Sequence, residues 1–389
     1  MCERIVEKVK IVPFNQIDPG VWNKLVDESP EAWLYHRTEW IELEQVGGHQ
    51  NESFMVISDK GQALGIFCVY LLRRGPWWRL WDDYLHTGHC RSGPAMADGL
   101  STKQRKEVTV FALDYIERRA RIYGANRLEV RLPSLAPAYL PPLRSEINPL
   151  WQYGFSTFPM YGTSGIRRLQ TAITPDTIVE LQKGDEGSLF ASLDTRGRNA
   201  VRKAGRAGVT CVEGDGLKGV EVFHMLYESS HIRSGAANRP LTFFRKMYES
   251  LAAKGWLKIF VAFFGTNPVA SVLLLCYKDA VTYYAGGVDY AAQQLRPHNL
   301  LVWETLKRAQ QKGCKWFEMG PYFPYLPEEN KMAGVAFFKR QFGGREFPLF
   351  EGLLFYNWPM YIAGVLVEET KWRIYAKLQR LIASRKGEV

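Results

Sequence analysis

The sequence has few cysteines and no pattern that would pair them. Six occur in 389 residues, and none forms a CxxC pair. Domains that depend on disulfides carry cysteines at short, regular spacings, whereas scattered thiols are typical of a reducing compartment. The sequence therefore predicts free thiols and excludes a disulfide-based fold.

Long apolar runs are also lacking. The longest, residues 352–367, is shorter than the roughly 20 residues of a membrane-spanning helix and contains Asn357 and Pro359. The first residues alternate charged with apolar side chains and lack the apolar core of a secretory signal. We expect no transmembrane helix and a cytoplasmic location. Peripheral contact with the inner face of the plasma membrane through residues 371–389 is a further hypothesis.

Metal and nucleotide motifs are missing as well. His86 and His89 form an HxxH pair, but no third ligand is near them in the sequence. No Ser-His-Asp arrangement, phosphate-binding loop or glycine-rich dinucleotide turn stands out. We therefore expect no metal and no tightly bound cofactor.

Length, apolar content and positive charge are what the chain does have. With 389 residues, 46% of them hydrophobic, it can form two cores, and its formal net charge of +10 indicates anionic partners. Both halves show one α+β order: helices, a hairpin, a strand, a long helix and another strand. We predict domains at 1–170 and 171–370, followed by a basic amphipathic tail at 371–389.

The densest cluster of positive charge lies early in the second half. From Arg196 to Arg206 the sequence holds five cations and no acid, and Asp194 is placed to cap a helix that ends near Gly208. On that helix, charges four residues apart repel one another unless an anion neutralises them. The candidate contacts to a phosphate or an RNA backbone are Arg198, Arg202, Lys203 and Arg206. The alternative is a solvated basic face.

A second segment places a lysine among aromatic residues. Lys339 follows Phe337 and Phe338 and precedes Phe342-Gly343-Gly344. A cation in such surroundings can stabilise the oxyanion that forms when an amine attacks an ester or thioester carbonyl. The alternative is a lysine that lies along an aromatic surface with its ammonium in water. This pattern makes Lys339 the candidate catalytic residue for acyl transfer.

Other candidates are less distinctive. The turn Gln293–Asn299 enters a helix where an acyl-CoA enzyme would have a glycine-containing pyrophosphate loop, yet this turn has no glycine. Arg296 and His298 remain candidate anion contacts there. Candidate general bases are Asp289, Glu304 and Glu318, of which Glu318 is the one we place in the site.

Taken together, four motifs resemble the Fem family of aminoacyl transferases. They are Arg198–Ala204, Tyr284-Ala285-Gly286-Gly287, Phe317-Glu318-Met319-Gly320, and Phe338-Lys339 with Phe342-Gly343-Gly344. The resemblance implies two tandem GNAT-like domains, each a mixed, mostly antiparallel sheet flanked by helices. It further implies transfer of an aminoacyl group from aminoacyl-tRNA to an amine of a peptidoglycan precursor.

The resemblance also assigns roles to residues. It implies that Lys339 acts near the reacting carbonyl, that Tyr284 contacts substrate, and that the basic helix binds the acceptor's phosphates. The helix around Trp40 departs from the family, because Glu42 and Glu44 stand where a family member has a phosphate-binding lysine. The expected partners are a nucleotide- or lipid-linked cell-envelope precursor and tRNA.

Two alternatives stay open at this point. One is an acyl-CoA-dependent N-acyltransferase of polysaccharide or lipid biosynthesis. The other is a non-enzymatic protein that binds membrane surfaces through 371–389, where basic residues alternate with Trp372, Ile374 and Leu378.

Overall fold

The computed structural model describes residues 9–73, 84–87, 91–157, 174–181, 185–234, 238–322, 331–364, 366–367 and 370. The chain forms two compact units. The first comprises Met1–Ile173 together with Phe350–Val389, and the second comprises Thr174–Leu349.

The described residues include these α-helices: α1 (Pro19–Glu28), α2 (Thr38–Val46), α3 (Thr102–Tyr123), α4 (Glu186–Ser192), α5 (Thr195–Arg206), α6 (Gly216–Ser234), α7 (Leu241–Leu251), α8 (Pro297–Gln311) and α9 (Lys331–Arg340). The strands are β1 (Val9–Pro13), β2 (Gln50–Asn51), β3 (Phe54–Ser58), β4 (Ala63–Phe67), β5 (Tyr70–Leu72), β6 (Tyr84–His86), β7 (Ala95–Met96), β8 (Arg127–Arg131), β9 (Pro175–Glu180), β10 (Val209–Glu213), β11 (Leu257–Phe264), β12 (Asn267–Tyr277), β13 (Ala280–Val288), β14 (Trp316–Pro321), β15 (Arg345–Pro348) and β16 (Glu351–Phe355).

The first unit contains two sheets and one long helix. The sheets have the strand orders β1-β3-β4-β7 and β16-β8-β6-β5-β2. Helix α3 is capped at its start by Ser101, whose side chain accepts the Gln104 N–H in a capping box, and is followed by Gly124 in the left-handed conformation. Strands β6 and β8, which precede and follow α3, pair in parallel through Leu85 and Leu128.

The second unit is built on one seven-stranded sheet with the order β10-β11-β12-β13-β14-β9-β15. Its pairs are antiparallel except β13 with β14, which are parallel and are joined by α8. Helices α5 and α8 share one buried cluster with β14, which includes Val201, Leu301, Leu306, Phe317 and Met319. Both units thus place a long helix between two strands, as the repeated order in the sequence predicts, and the structure adds that these strands pair in parallel.

The predicted domain boundaries need one correction. The sequence places residues 350–370 in the second domain, but β16 pairs along its whole length with β8 of the first unit. Leu132 donates its N–H to the Phe350 carbonyl at 2.8 Å, and the Arg131 guanidinium lies 3.4 Å from the Glu351 carboxylate. The chain therefore returns to its first unit after Leu349. The predicted tail, 371–389, lies outside the described residues.

The described cysteines are free thiols, in line with their scattered spacing; they are Cys68, Cys211, Cys276 and Cys314. Burial raises the pKa of both Cys211 and Cys276 to about 12, so neither forms a thiolate near neutral pH. Among the helices of the described ranges, none is long and apolar enough to cross a membrane.

Candidate active site

The parallel strands of the second unit separate after a short pairing. β13 and β14 pair only through Ala280–Thr282 and Trp316–Glu318. Beyond these residues β13 stays with β12 as far as Val288, whereas β14 pairs with β9 through Gly320 and Pro321. An opening therefore forms between the carboxyl ends of the two strands, where α8 begins after β13.

Two glycines of β13 are required by close packing beside this opening. A Cβ on Gly287 would overlap the Leu226 carbonyl of α6, and one on Gly286 would overlap the Tyr283 hydroxyl. The register of β13 against β12 shifts at Tyr284, because Leu273 pairs with Ala285 and Leu274 with Tyr283. This shift is a β-bulge, a feature that often occurs next to active sites. The Tyr-Ala-Gly-Gly motif thus fixes the backbone at the opening.

Lys339 is on α9, and its ammonium lies at the end of β14. Its Nζ donates a hydrogen bond to the Pro321 carbonyl at 2.8 Å, and the side chain is half-buried. Gly320 has a φ of 80°, and a Cβ there would come within 3.1 Å of the Lys339 ammonium. A residue with a side chain would be strained at Gly320 and would crowd the lysine. Gly320 of the Phe317–Gly320 motif therefore leaves space for the ammonium of Lys339, which belongs to the Phe-Lys motif.

The aromatic neighbours of Lys339 hold its helix in place. Phe338 packs edge-to-face on His298 and on the buried Phe342, with ring centroids 5.1 Å apart in both pairs. Arg340 donates to the Tyr322 hydroxyl at 3.2 Å and lies 3.3 Å from the Glu346 carboxylate. The segment predicted from sequence is thus fixed on both sides of Lys339.

Tyr283 and His298 form a hydrogen-bonded pair within this site. The Tyr283 hydroxyl lies 2.9 Å from His298 Nε2. Burial raises the pKa of Tyr283 and lowers the pKa of His298 to about 4, so both are uncharged near neutral pH. The sequence indicates His298 but misses Tyr283. The available signal was its even spacing from the buried Val281 along the strand, which puts both on the face covered by α8.

Glu318 does not join the tyrosine–histidine pair. Its neighbours Phe317 and Met319 are in the core beneath α5 and α8, so alternation along β14 puts Glu318 on the opposite face. There it is 4% exposed, between Thr282 and Ile178 in the sheet. Asp289 accepts a hydrogen bond from the Ala291 N–H, and Glu304 pairs with Lys307 at 2.9 Å. These contacts give both residues structural roles.

The basic helix forms as predicted. The Asp194 side chain accepts the Gly197 N–H, and α5 ends at Arg206. Arg198 donates to the carbonyls of Ala191 and Leu193 and to the Thr195 hydroxyl, so it ties α5 to the end of α4. The exposed cations on this helix include Arg202, Lys203 and Arg206.

The turn before α8 contains no glycine, but one of its residues has a backbone conformation that glycine favours. Arg296 has a φ of 58°, the left-handed region that glycine favours, and is exposed. Pro297 has no backbone N–H to offer at the start of the helix. The backbone N–H of Asn299 donates to the Arg296 carbonyl at 3.1 Å. The Asn299 side chain donates to Gln341 at 2.7 Å. Few amide donors are therefore directed from this helix end toward an anion.

One further residue near the site was not predicted. The Arg196 guanidinium lies 5.1 Å from the ring centre of Phe337, which is 48% exposed. Because α5 and α9 are distant in sequence, no local pattern shows this contact. No group of three or more histidine, cysteine, aspartate or glutamate residues that could hold a metal occurs among the residues the structure describes.

In the first unit, the helix around Trp40 departs from the Fem pattern in structure as in sequence. Glu44 is buried and accepts a hydrogen bond from the Trp40 indole at 3.2 Å. The residue that stands near a phosphate-binding position in the family is therefore a buried carboxylate here.

The solved structures and a family model show what this fold is. A structure of FemX superposes with a TM-score of 0.67 at 15% identity, over 91% of this chain and 99% of FemX. The chain has the fold of FemX. Residues 192–340 match the family model described as an acetyltransferase (GNAT) domain, and the first unit repeats its order of strands and helix. The predicted α+β class with two GNAT-like domains is thereby confirmed, as is the resemblance to the Fem family at the level of fold.

Other solved structures share this fold more distantly. The C-terminal domain of a putative lysylphosphatidylglycerol synthetase from Agrobacterium fabrum superposes with a TM-score of 0.51 at 12% identity, over 90% of this chain and 95% of that domain. A protein of unknown function from Bacteroides thetaiotaomicron gives 0.52 at 9% identity, over 88% of this chain and 99% of its own. No curated protein matches the sequence. The solved structures thus show the fold, and the family model places residues 192–340 among acetyltransferase (GNAT) domains.

Proposed function

We propose that the chain transfers an aminoacyl group from aminoacyl-tRNA to an amine of an anionic cell-envelope precursor. The observation that carries the proposal is the position of Lys339. Its ammonium is held by the Pro321 carbonyl where β13 and β14 separate, and Gly320 leaves space beside it.

Lys339 is the residue that stabilises the transition state in this proposal. When the acceptor amine attacks the ester carbonyl, a carbon–nitrogen bond forms and the carbonyl oxygen becomes an oxyanion; the carbon–oxygen bond to the tRNA ribose then breaks. An ammonium carries three N–H donors, so Lys339 can bond Pro321 and the oxyanion together. Groups of this kind commonly lower the activation free energy by about 3 to 4 kcal/mol.

The Tyr283–His298 pair handles protons in this scheme. The amine must lose a proton when the peptide bond forms, and the departing ribose oxygen must gain one. The Tyr283 hydroxyl can give its proton to the departing ribose oxygen as its own oxygen takes up the proton of the amine. The uncharged His298 holds the hydroxyl by the 2.9 Å hydrogen bond, so neither group ends with a charge. Glu318 lies on the other face of the sheet and has no part in this step.

Two observations favour tRNA over acyl-CoA as the donor. Arg202, Lys203 and Arg206 are exposed together on α5, where a polyanion can reach them. The start of α8, in contrast, has Pro297 and an internally bonded Asn299 where a pyrophosphate would need amide donors. The acyl-CoA enzyme remains the second candidate because the family model describes acetyltransferases.

The first experiment replaces Lys339 by methionine, which keeps length and loses charge. Turnover of labelled aminoacyl-tRNA with a nucleotide-linked peptidoglycan precursor should fall by about a hundredfold or more, because the oxyanion loses its cation. Thermal unfolding should stay as in the wild type. Lys312→Met, an exposed lysine after α8, is the matched control and should keep full activity.

Equal turnover by Lys339→Met and wild type would exclude the proposed role of the lysine. Labelled acetyl-CoA, offered to the same variants, separates the two donors. Transfer from acetyl-CoA but not from any aminoacyl-tRNA would favour the second candidate.

A further inference from the structure

The first unit contains a pocket of about 150 Å³ beside the N-terminal half of α3. Its buried lining is mostly apolar and includes Met96, Leu132, Leu150 and Phe155; the buried Thr109 also lines it, and its hydroxyl donates to the Arg105 carbonyl. The exposed polar residues Thr102 and Gln152 also line it, on the side where solvent reaches. Apolar cavities near this size, about 150 Å³, are large enough to hold a benzene ring.

The two charged residues that line the pocket neutralise each other. Glu31 and Arg105 are 2.9 Å apart, and the second Glu31 oxygen accepts the Met96 N–H at 2.8 Å. Arg105 also donates to the carbonyls of Leu100 and Ala97. Because both charges are bonded to the protein, the pocket offers no net charge to a ligand, and a charged ligand would lose its hydration without compensation.

Tyr139 supplies the polar contact. It lines the pocket, is 9% exposed, and burial raises the pKa of its hydroxyl, so it stays a hydrogen-bond donor at any physiological pH. Within the described ranges no acceptor contacts this hydroxyl. Because Tyr139 lines the pocket, the acceptor of a bound molecule can receive this hydroxyl in place of solvent.

From these contacts we propose that the first unit binds a small uncharged molecule with an apolar body and one hydrogen-bond acceptor. The apolar body packs on Met96, Leu132 and Phe155, and the acceptor receives the Tyr139 hydroxyl. This site is separate in sequence and in compact unit from the Lys339 site, and it does not depend on the proposed transfer reaction.

Benzyl alcohol is a suitable probe, because it joins an aromatic ring to one hydroxyl acceptor. Its affinity for the full chain is measured by ligand-observed NMR titration. Leu113→Trp, which fills the pocket from α3, should raise the dissociation constant at least tenfold. Val110→Trp makes the same change on an exposed position of α3 and should leave affinity within about twofold of wild type.

Charge and hydrogen bonding are tested with the same titration. Tyr139→Phe should weaken benzyl alcohol binding by about threefold to tenfold, the usual effect of one hydrogen bond. Benzoate and benzylamine should bind far more weakly than the alcohol. Equal binding by the wild type and Leu113→Trp, or benzoate or benzylamine as tight as benzyl alcohol, would overturn the proposal. Thermal unfolding of each variant confirms that it is folded.

Discussion

At the scale of single residues, burial sets the protonation of the candidate site. His298 is uncharged because the apolar surroundings that include Phe338 disfavour an imidazolium, and Tyr283 stays protonated for the same reason. A pair held in this form keeps one protonation state over the physiological range. Activity should therefore not depend on titration of His298 between about pH 5 and 8.

The same shift predicts how stability depends on pH. The pKa of His298 falls from 6.5 to about 4 on folding, so between these values the unfolded chain binds a proton that the folded chain does not. Acidification through this window favours unfolding. From pH 7 to pH 4 the group should remove about 1 to 3 kcal/mol of the free energy of unfolding. In urea unfolding, the loss of unfolding free energy between pH 7 and pH 4 should be smaller in His298→Gln than in the wild type by this amount.

Tyr283→Phe is the control for this measurement. Burial alone lowers the pKa of His298, so the variant should keep the acid sensitivity of the wild type after its hydrogen bond is removed. Identical pH dependence in the wild type and His298→Gln would contradict the assignment.

Single functional residues could be recognised from the sequence only where the neighbours that mark them are adjacent in the chain. Lys339 was recognisable because its aromatic and glycine neighbours are adjacent in sequence. Tyr283 was not, because its partner His298 is reached only when β13 and α8 fold together. Arg198 resembled its neighbours as a cation but bonds the carbonyls of Ala191 and Leu193, and charge spacing on a helix cannot show such bonds.

At the scale of elements, α5 has exposed cations and one arginine, Arg198, that bonds backbone carbonyls, and we expect their substitution to have different effects. Changing Arg202, Lys203 and Arg206 together to glutamine removes three exposed charges, along with the contact of Arg202 with the Phe190 ring and one hydrogen bond within α5. Binding of bulk tRNA, followed by fluorescence anisotropy from about 50 to 300 mM salt, should weaken at low salt. The slope of log affinity against log salt should become shallower by about two to three. Thermal unfolding should change little.

Arg198→Gln is the comparison for that triple variant. It removes donors from two backbone carbonyls at the junction of α4 and α5, so it should lower the free energy of unfolding by about 1 to 3 kcal/mol and keep the salt slope. If the triple variant kept the wild-type slope, the basic helix would be a solvated face and would have no role in binding.

The elements themselves were largely predictable. Both halves were expected to have a long helix ahead of a strand, and α3 and α8 lie there, because helical periodicity over many residues leaves a clear pattern. β9 and β15 were not predicted. They are short strands whose partners are each other and β14, so their existence depends on distant pairing rather than on local sequence.

At the scale of the whole molecule, the chain cannot be divided at one point. It leaves the first unit near Thr174, forms the second, and returns at Phe350 to add β16 to the five-stranded sheet of the first unit. The sequence indicated two similar halves and so suggested a single boundary. Repeats show which segments resemble each other, but not which sheet takes up the strand that follows the second repeat.

This return predicts the effect of truncation. A chain ending at Leu349 loses β16, and with it the five paired residues along β8, the Glu351–Arg131 ion pair and the bond from Asn148 to the Glu351 carbonyl. The edge of β8 would be unpaired, and Leu128 and Val130, both buried, would lose a neighbouring strand. Calorimetry should show the first unit unfolding at a temperature lower by about 5 °C or more. A chain ending at Thr370 keeps β16 and is the matched control; its first unit should unfold at a higher temperature than that of the chain ending at Leu349. Equal unfolding of both truncated chains would mean that β16 contributes little, because the first unit would then be stable on the pairing of β8 with β6 alone.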